Sequence, residues 1–268
     1  MRSGARTGLV ILVGLATVAV IGPWFAPDHD IQGNLLTGTL QLPSAAHWLG
    51  TDALARDIFA RLAYGARVSL TVAGLAVAVA TVIGVWVGLT ASAPSRVLAG
   101  VAERAINLGL AMPRVIVLLV LLAGTGQIAT GWLGLVLGLT GWPAIARLVR
   151  GEALRLREAA FVAASQALGA SSGRVLWREI LPGTLPALLV AATLGVADAV
   201  LLEAGLSFIG VGVRPPTPSW GNMIYEARDH LMDAPWLLLA PCVALVLTTA
   251  AATLLGESLR RSLLPESR

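Results

Sequence analysis

Six long apolar stretches, at 8–26, 68–91, 97–123, 128–145, 184–206 and 234–255, alternate with shorter polar segments along this chain. Each is close to the roughly 20 mostly apolar residues that carry a helix across a bilayer. The pattern predicts an all-α, polytopic membrane bundle of about six transmembrane helices. The first stretch follows Arg2 and Arg6 and lacks a following A-x-A cleavage pattern, so it reads as a retained anchor rather than a signal peptide. Gly84 with Gly88, and Gly134 with Gly138, place small residues one turn apart, where helices in lipid can approach closely. Pro113 interrupts the third stretch and predicts a kink. Trp24, Trp132, Trp142 and Trp236 fall near predicted span ends, as interfacial belts do.

The polar segments orient these spans, because Lys and Arg collect on the cytoplasmic side. One set holds Arg2 and Arg6, then Arg96, then Arg147, Arg150, Arg155, Arg157, Arg174 and Arg178, and finally Arg260, Arg261 and Arg268. The alternate set is balanced. In 27–67, Asp28, Asp30, Asp52 and Asp57 stand against Arg56, Arg61 and Arg67; in 207–233, Glu226, Asp229 and Asp233 stand against Arg214 and Arg228. Six spans with both termini cytoplasmic account for every segment. Topology therefore explains the net charge of +4 better than nucleic-acid binding does.

Composition narrows the chemistry. Only 13% of residues are charged and 56% are hydrophobic, against about 25% charged in a soluble domain. All nineteen basic residues are Arg. A P-loop needs a Lys to reach the β- and γ-phosphates, so no standard Walker A motif is possible, and Schiff-base catalysis is excluded as well. If ATP powers this protein, another subunit hydrolyses it. Cys242 is read as a small core hydrophobe. His29, His47 and His230 lack metal-ligand spacing, and no catalytic triad or paired-carboxylate arrangement is legible. The chain reads as non-catalytic. It shows no internal repeat, which disfavours an ion-coupled secondary transporter. That class and a membrane scaffold remain the competing readings.

The Arg-rich segment 146–182 is the feature most in need of a purpose. Positions 158–168 predict a helix with an apolar stripe of Phe161, Ala164 and Leu168. Gly169 stands where a left-handed cap would end it. Ser171 or Ser172 can cap a second short helix through Val175, Leu176 and Ile180, which Pro182 would stop. Exposed Phe161, Val175, Leu176 and Trp177 would form a docking face for a soluble partner, or else rest on the membrane surface. On the opposite side, 48–64 is expected to lie as a short surface helix with Ile58, Phe59 and Leu62 inward and an Asp57–Arg61 pair at i,i+4. Within the spans, Arg104, Asn107 and Arg114 fall in the third, and Asp198 and Glu203 in the fifth. Such groups either line a pathway or pair between helices. Asp198 and Glu203 point about 140° apart and are not expected to share a site.

Several motifs, in order, carry a resemblance. Gly169, nine residues, then Glu179-Ile180-Leu181-Pro182 resembles the EAA loop of ABC-importer permeases. The family's leading Glu-Ala-Ala is replaced by Ala163-Ala164-Ser165, and its Ile by Glu179; Glu158-Ala159-Ala160 spells EAA but lies five residues too early. His47, Leu49-Gly50-Thr51-Asp52 and Arg56-Asp57 are similar to the HPLGTDxxGRD segment of dipeptide, oligopeptide and nickel permeases, with Trp48 for its Pro and Ala55 for its second Gly. Gly141-Trp142-Pro143, the stretch from Glu203 to Gly210, Pro215 to Gly221, Ala234-Pro235-Trp236 and Gly256 to Arg260 continue the likeness to the shorter permease of such systems.

The resemblance implies a type I ABC transmembrane domain in the inner membrane. It implies residues 1–66 as an anchor plus extracytoplasmic segment, and 67–268 as the permease core. The implied partners are a second permease, two ABC ATPases that hold the ATP and magnesium, and an extracytoplasmic solute-binding protein. No cofactor is expected in this chain. Ala163, Ala164, Ser165, Gly169, Ile180, Leu181 and Pro182 would form the ATPase-coupling loop. Asp52, Arg56, Asp57 and Trp220 would help receive the binding protein. Asn107 stands where the family often has Asp. Di- or oligopeptides are the expected cargo, with nickel or another small solute as the alternative.

Overall fold

The computed structural model describes residues 2–25, 30–124 and 129–263. Among these, regular structure is helical, apart from one isolated bridge between Thr51 and Asp57. The helices are α1 (Arg2–Phe25), α2 (Ile58–Ala91), α3 (Arg96–Ala111), α4 (Arg114–Leu122), α5 (Thr130–Arg157), α6 (Ala160–Ala167), α7 (Ser172–Val175), α8 (Leu181–Phe208), α9 (Trp220–Ala227) and α10 (Trp236–Leu263). Five described helices are long and apolar enough to cross a membrane, and the α3–α4 pair makes a sixth if it counts as one span.

The centre is the α2–α5 pair, whose contact is the most extensive in the bundle. Its four glycines interlock reciprocally. A Cβ on Gly84 would lie 2.6 Å from Ile145 Cβ, and one on Gly88 would lie 2.7 Å from Val149 Cβ. In return, Gly138 of α5 would put a Cβ 2.5 Å from Val79, and Gly134 would put one 3.0 Å from Leu75. Each helix thus takes the other's branched side chains into its own bare backbone, and dispersion across this close contact supplies the association that lipid does not. Around it, Val72, Leu118, Leu122, Leu133, Leu137, Val200 and Trp220 form the main buried core. α1 lies outside, against α10 and α2.

Four expectations need correction. The third span is broken rather than kinked: α3 and α4 meet at 83°. Pro113 has no N–H and forces the residue before it out of helical geometry, and Met112 is extended (φ −86°, ψ 131°). The fourth helix does not end at 145 but carries on to Arg157, so the polar loop is shorter than its charge pattern suggests. Pro182 stops nothing. It sits in the first turn of α8, where its missing N–H would otherwise bond the Arg178 carbonyl, and the turn before it widens into a π-helix over Leu176–Ile180. Helix therefore runs unbroken over Ser172–Phe208. Finally, 48–64 is not a separate helix. Residues 30–57 form an irregular cap, and α2 begins at Ile58 with the Asp57 carboxylate accepting from the Ala60 N–H at 2.8 Å.

Trp24 and Trp132 are exposed near helix ends, whereas Trp142 and Trp236 are half-buried. Cys242 sits half-buried in α10. His29 lies outside the described residues.

Candidate functional site

Three polar constellations stand out against the apolar bundle. The first is the hairpin of α6 and α7. Gly169 adopts φ +86°, and its N–H bonds the Gln166 carbonyl at 2.9 Å while the Ala170 N–H bonds the Ser165 carbonyl at 3.1 Å. That pair of bonds is a Schellman cap, which requires the left-handed residue that glycine supplies. Ser171 then caps α7 through the Arg174 N–H. The inner face is buried: Val162, Val175 and Ile180 pack with Leu89, Val149 and Leu188. The outer face presents Phe161, Leu168 and Trp177. The predicted stripe of Phe161, Ala164 and Leu168 is therefore the exposed side, whereas Val175 is buried and Leu176 half-buried rather than exposed as expected, both packing with residues of α2, α5 and α8. Ala163 and Ala164 are exposed, Ser165 and Leu181 are half-buried, and Pro182 is exposed. Glu158 closes α5, so the early EAA string belongs to the junction and not to the hairpin. Arg157 to the Ser92 carbonyl and Arg150 to Glu103 (2.9 Å) fix this end of α5 to the α2–α3 turn and to α3.

The second constellation lies among the spans. Arg114 Nη1 donates to Asp198 Oδ2 at 2.6 Å, joining α4 to α8, and its Nη2 donates to the Leu137 carbonyl at 2.8 Å. Asp198 does not meet Glu203, as their spacing predicts. Glu203 is fully buried, accepting from Ser69 (2.7 Å) and Ser207 (2.8 Å). Ser69 in turn accepts from the Trp220 N–H at 3.3 Å, so this carboxylate ties α2, α8 and α9 together. Arg104 is exposed on α3, and exposed Asn107 accepts from Arg147 at 3.4 Å.

The third lies in the cap at the opposite end from the hairpin. Asp52 Oδ1 accepts the N–H groups of Leu54 (2.8 Å) and Arg56 (2.9 Å), folding the loop into a tight turn. Its Oδ2 receives Arg56 Nε and Arg61 Nη1, both at 2.7 Å. Both guanidiniums also reach Glu226 of α9, at 2.8 and 2.5 Å. Burial alone would raise the Asp52 carboxyl, but the Arg56 N–H bond and the charges of Arg61 and Arg56 outweigh it and hold it below the usual carboxylate range. Asp57 is bound to His47 at 2.8 Å, so the expected Asp57–Arg61 pair is not formed; Arg61 turns to Asp52 and Glu226 instead. Ala55, in place of the family's glycine, holds φ +56°.

The four docking candidates are all inward. Asp52, Arg56 and Asp57 are buried in the cap, and Trp220 is fully buried, its Nε1 donating to the Leu62 carbonyl. They build the surface rather than form it. Exposed apolar groups at this end include Leu36, Leu42, Trp48, Leu54, Leu231 and Met232, of which Leu231 and Met232 carry no sequence motif.

Residues 58–268 match the family model described as the binding-protein-dependent transport system inner membrane component. Similar proteins include the dipeptide transport system permease protein DppC of Bacillus subtilis (38% identical over 267 residues, 98% of this chain and 82% of that protein). The DppC of Alkalihalophilus pseudofirmus is 34% identical, covering 98% and 86%. The glutathione transport system permease protein GsiD of Escherichia coli O1:K1 is 35% identical, covering 98% and 86%. Among solved structures, the inward-facing MetNI methionine ABC transporter shares the fold, with a TM-score of 0.60 at 23% identity over 77% of this chain and 96% of that one. With the family model spanning well over half the sequence and relatives matching along nearly its whole length, the chain belongs to the inner-membrane permease components of binding-protein-dependent transport systems.

Proposed function

We propose that this chain is one of two transmembrane subunits of an ATP-driven importer of di- and oligopeptides, and that it forms half of the solute pathway. The observation that carries the reading is the Gly169 hairpin: its inner face is packed on α2, α5 and α8, while Phe161 and Leu168 are left bare and Trp177, stacked edge-on against Trp86, is partly so. Three large apolar side chains on one small polar end of the molecule call for a partner. In this reading the hairpin and both termini face the cytoplasm, where the arginine distribution puts them. The hairpin docks on a separate ATPase, which keeps the nucleotide and its magnesium. A lysine-free chain without a Walker A motif takes its energy from such a partner. The cap faces outward and receives the solute-binding protein through its exposed Trp48 and Leu54, together with Met232 of the α9–α10 segment. Peptide cargo is supported by the names of its relatives, which are permeases for dipeptides and for glutathione.

The test is reconstitution in proteoliposomes with partner ATPases, a second permease and a solute-binding protein from the same cell. Uptake of labelled alanyl-alanine is expected only with ATP and the full set. Uptake by this chain alone overturns the reading, as does labelling of a Leu168→Cys variant from outside intact cells.

A further inference from the structure

A cavity of about 410 Å³ lies between α2, α5 and α8, with Arg114 of α4 at its edge. Its walls are mostly alanine, glycine and aliphatic side chains, among them Ala76, Ala80, Ala144 and Ala191. The volume is within the range of small-molecule sites, and the pattern, apolar walls with a few convergent polar groups, is theirs as well. Gly141 makes room for the guanidinium: a Cβ there would sit 2.8 Å from Arg114 Nη2.

Three polar groups face this space, and two observations set them apart. The hydroxyl of Thr81 is buried and has no hydrogen-bond partner. Threonines in membrane helices normally donate to the carbonyl one turn back, as Thr90, Thr140, Thr193 and Thr248 do here. Thr81 does not; its oxygen is closed off from solvent, so a turn of the side chain brings this unused donor into the cavity. The other observation is Asp198, whose side chain is 59% exposed although it is paired with Arg114. It lies ten residues before the end of α8 at Phe208, about 15 Å along the helix, or half a hydrocarbon core. A carboxylate at that depth does not face lipid. In the two-subunit reading its open side therefore faces the pathway.

We infer that this cavity is a transit subsite for zwitterionic peptides, in which Arg114 receives the carboxylate, Asp198 the ammonium and Thr81 a backbone group. The inference rests on the peptide-importer reading above. Opening an ion pair in a low-dielectric site is costly unless each partner is handed a new counter-charge. A zwitterion supplies both, so the pair opens as the solute enters and closes behind it. The small walls accept varied side chains, and the intact pair, balanced in charge, favours neither acidic nor basic ones, whereas either partner left alone attracts a side chain of opposite sign.

The experiment is uptake by the assembled transporter in proteoliposomes, comparing alanyl-lysine with alanyl-aspartate. Arg114→Gln leaves Asp198 alone and is expected to raise the lysine-to-aspartate uptake ratio about tenfold; Asp198→Asn leaves Arg114 alone and is expected to lower it by a similar factor. A purely structural pair would depress both peptides equally, so ratios within about twofold of wild type in both variants overturn the inference. Should either variant fail to reach the membrane, Thr81→Cys in a Cys242→Ser background decides: labelling by a water-soluble thiol reagent, slowed by alanyl-alanine, is expected. No labelling, or labelling indifferent to the peptide, overturns it. Absence of alanyl-alanine uptake by the wild-type assembly refutes the peptide-importer reading itself and is thereby told apart from a failed ratio.

Discussion

Ser165 and Glu179 hydrogen-bond to each other across the Gly169 turn, hydroxyl to carboxylate. Each departs from the family's loop pattern, the one in place of an Ala and the other in place of an Ile. Together the two departures form one polar clasp. The other carboxylate oxygen, Oε2, is buried without a partner, so the clasp is a tuned and somewhat costly device.

Breaking it from one side is therefore expected to hurt more than removing it whole. Ser165→Ala orphans the carboxylate and should cost about 1–3 kcal/mol, whereas Ser165→Ala with Glu179→Ile should lie within about 1 kcal/mol of wild type. Unfolding midpoints of the four purified proteins close this cycle. Simple additivity would show that the two side chains do not depend on each other.

Gly169→Val forces a β-branched residue into φ +86°, where even an unbranched one is disfavoured by about 1–2 kcal/mol. The hairpin should lose its Schellman cap while the buried spans stay folded. ATP hydrolysis by the assembled transporter is expected to continue without uptake, with Gly169→Ala intermediate. Normal uptake with valine would remove the turn from the coupling route.

The α2–α5 interlock gives a prediction about stability alone. Gly138→Ala puts a methyl 2.5 Å from Val79 Cβ and 2.9 Å from the Ala76 carbonyl, and should cost about 1–3 kcal/mol. Gly131→Ala is the control on the same helix: a Cβ there meets nothing within 4 Å, so the change should be neutral or add up to about 1 kcal/mol. Equal effects at the two positions would mean that the helices do not approach as closely as described.

The cap should be acid-resistant. The Asp52 carboxyl is held below its ordinary value, so the stability it contributes is complete above its unfolded pKa, near 3.9, and is lost only as pH falls through the lower folded value. Protease sensitivity of 30–57 in proteoliposomes is expected to stay low down to about pH 4 and to rise below it. Asp52→Asn should loosen the cap at neutral pH and flatten that acid response. Opening of the wild-type cap between about pH 5 and 7 would assign control to another group.

What the sequence revealed, and what it hid, has a physical pattern. Span number, the Gly169 cap, the Ser171 cap and the glycine seams were legible because each depends on local chemistry or on the bilayer's thickness. The divergence of Asp198 from Glu203 followed from helix geometry alone. Errors came where long-range contacts override local preference. Arg61 has Asp57 one turn before it, yet it chooses Asp52 and Glu226, the latter far away in sequence. Trp220 looked like a surface motif because it sits in a polar loop, but Ser69 and Leu62 draw it into the core. Proline misled twice, as a break taken for a kink at 113 and as a stop at 182 that is instead a helix's first turn.

The continuous helix from Ser172 to Phe208 has a further consequence. At 1.5 Å per residue it is a rod of about 55 Å, reaching from the hairpin to the far membrane surface without a loop to absorb motion. Tilting such a rod by about 10° about its lower end displaces the upper end by roughly 10 Å. Asp198 and Glu203 ride on its upper half. A push of a few degrees below is thus converted into a sideways stroke above, and it must pass through the widened turn at Leu176–Ile180 and the interior proline at Pro186.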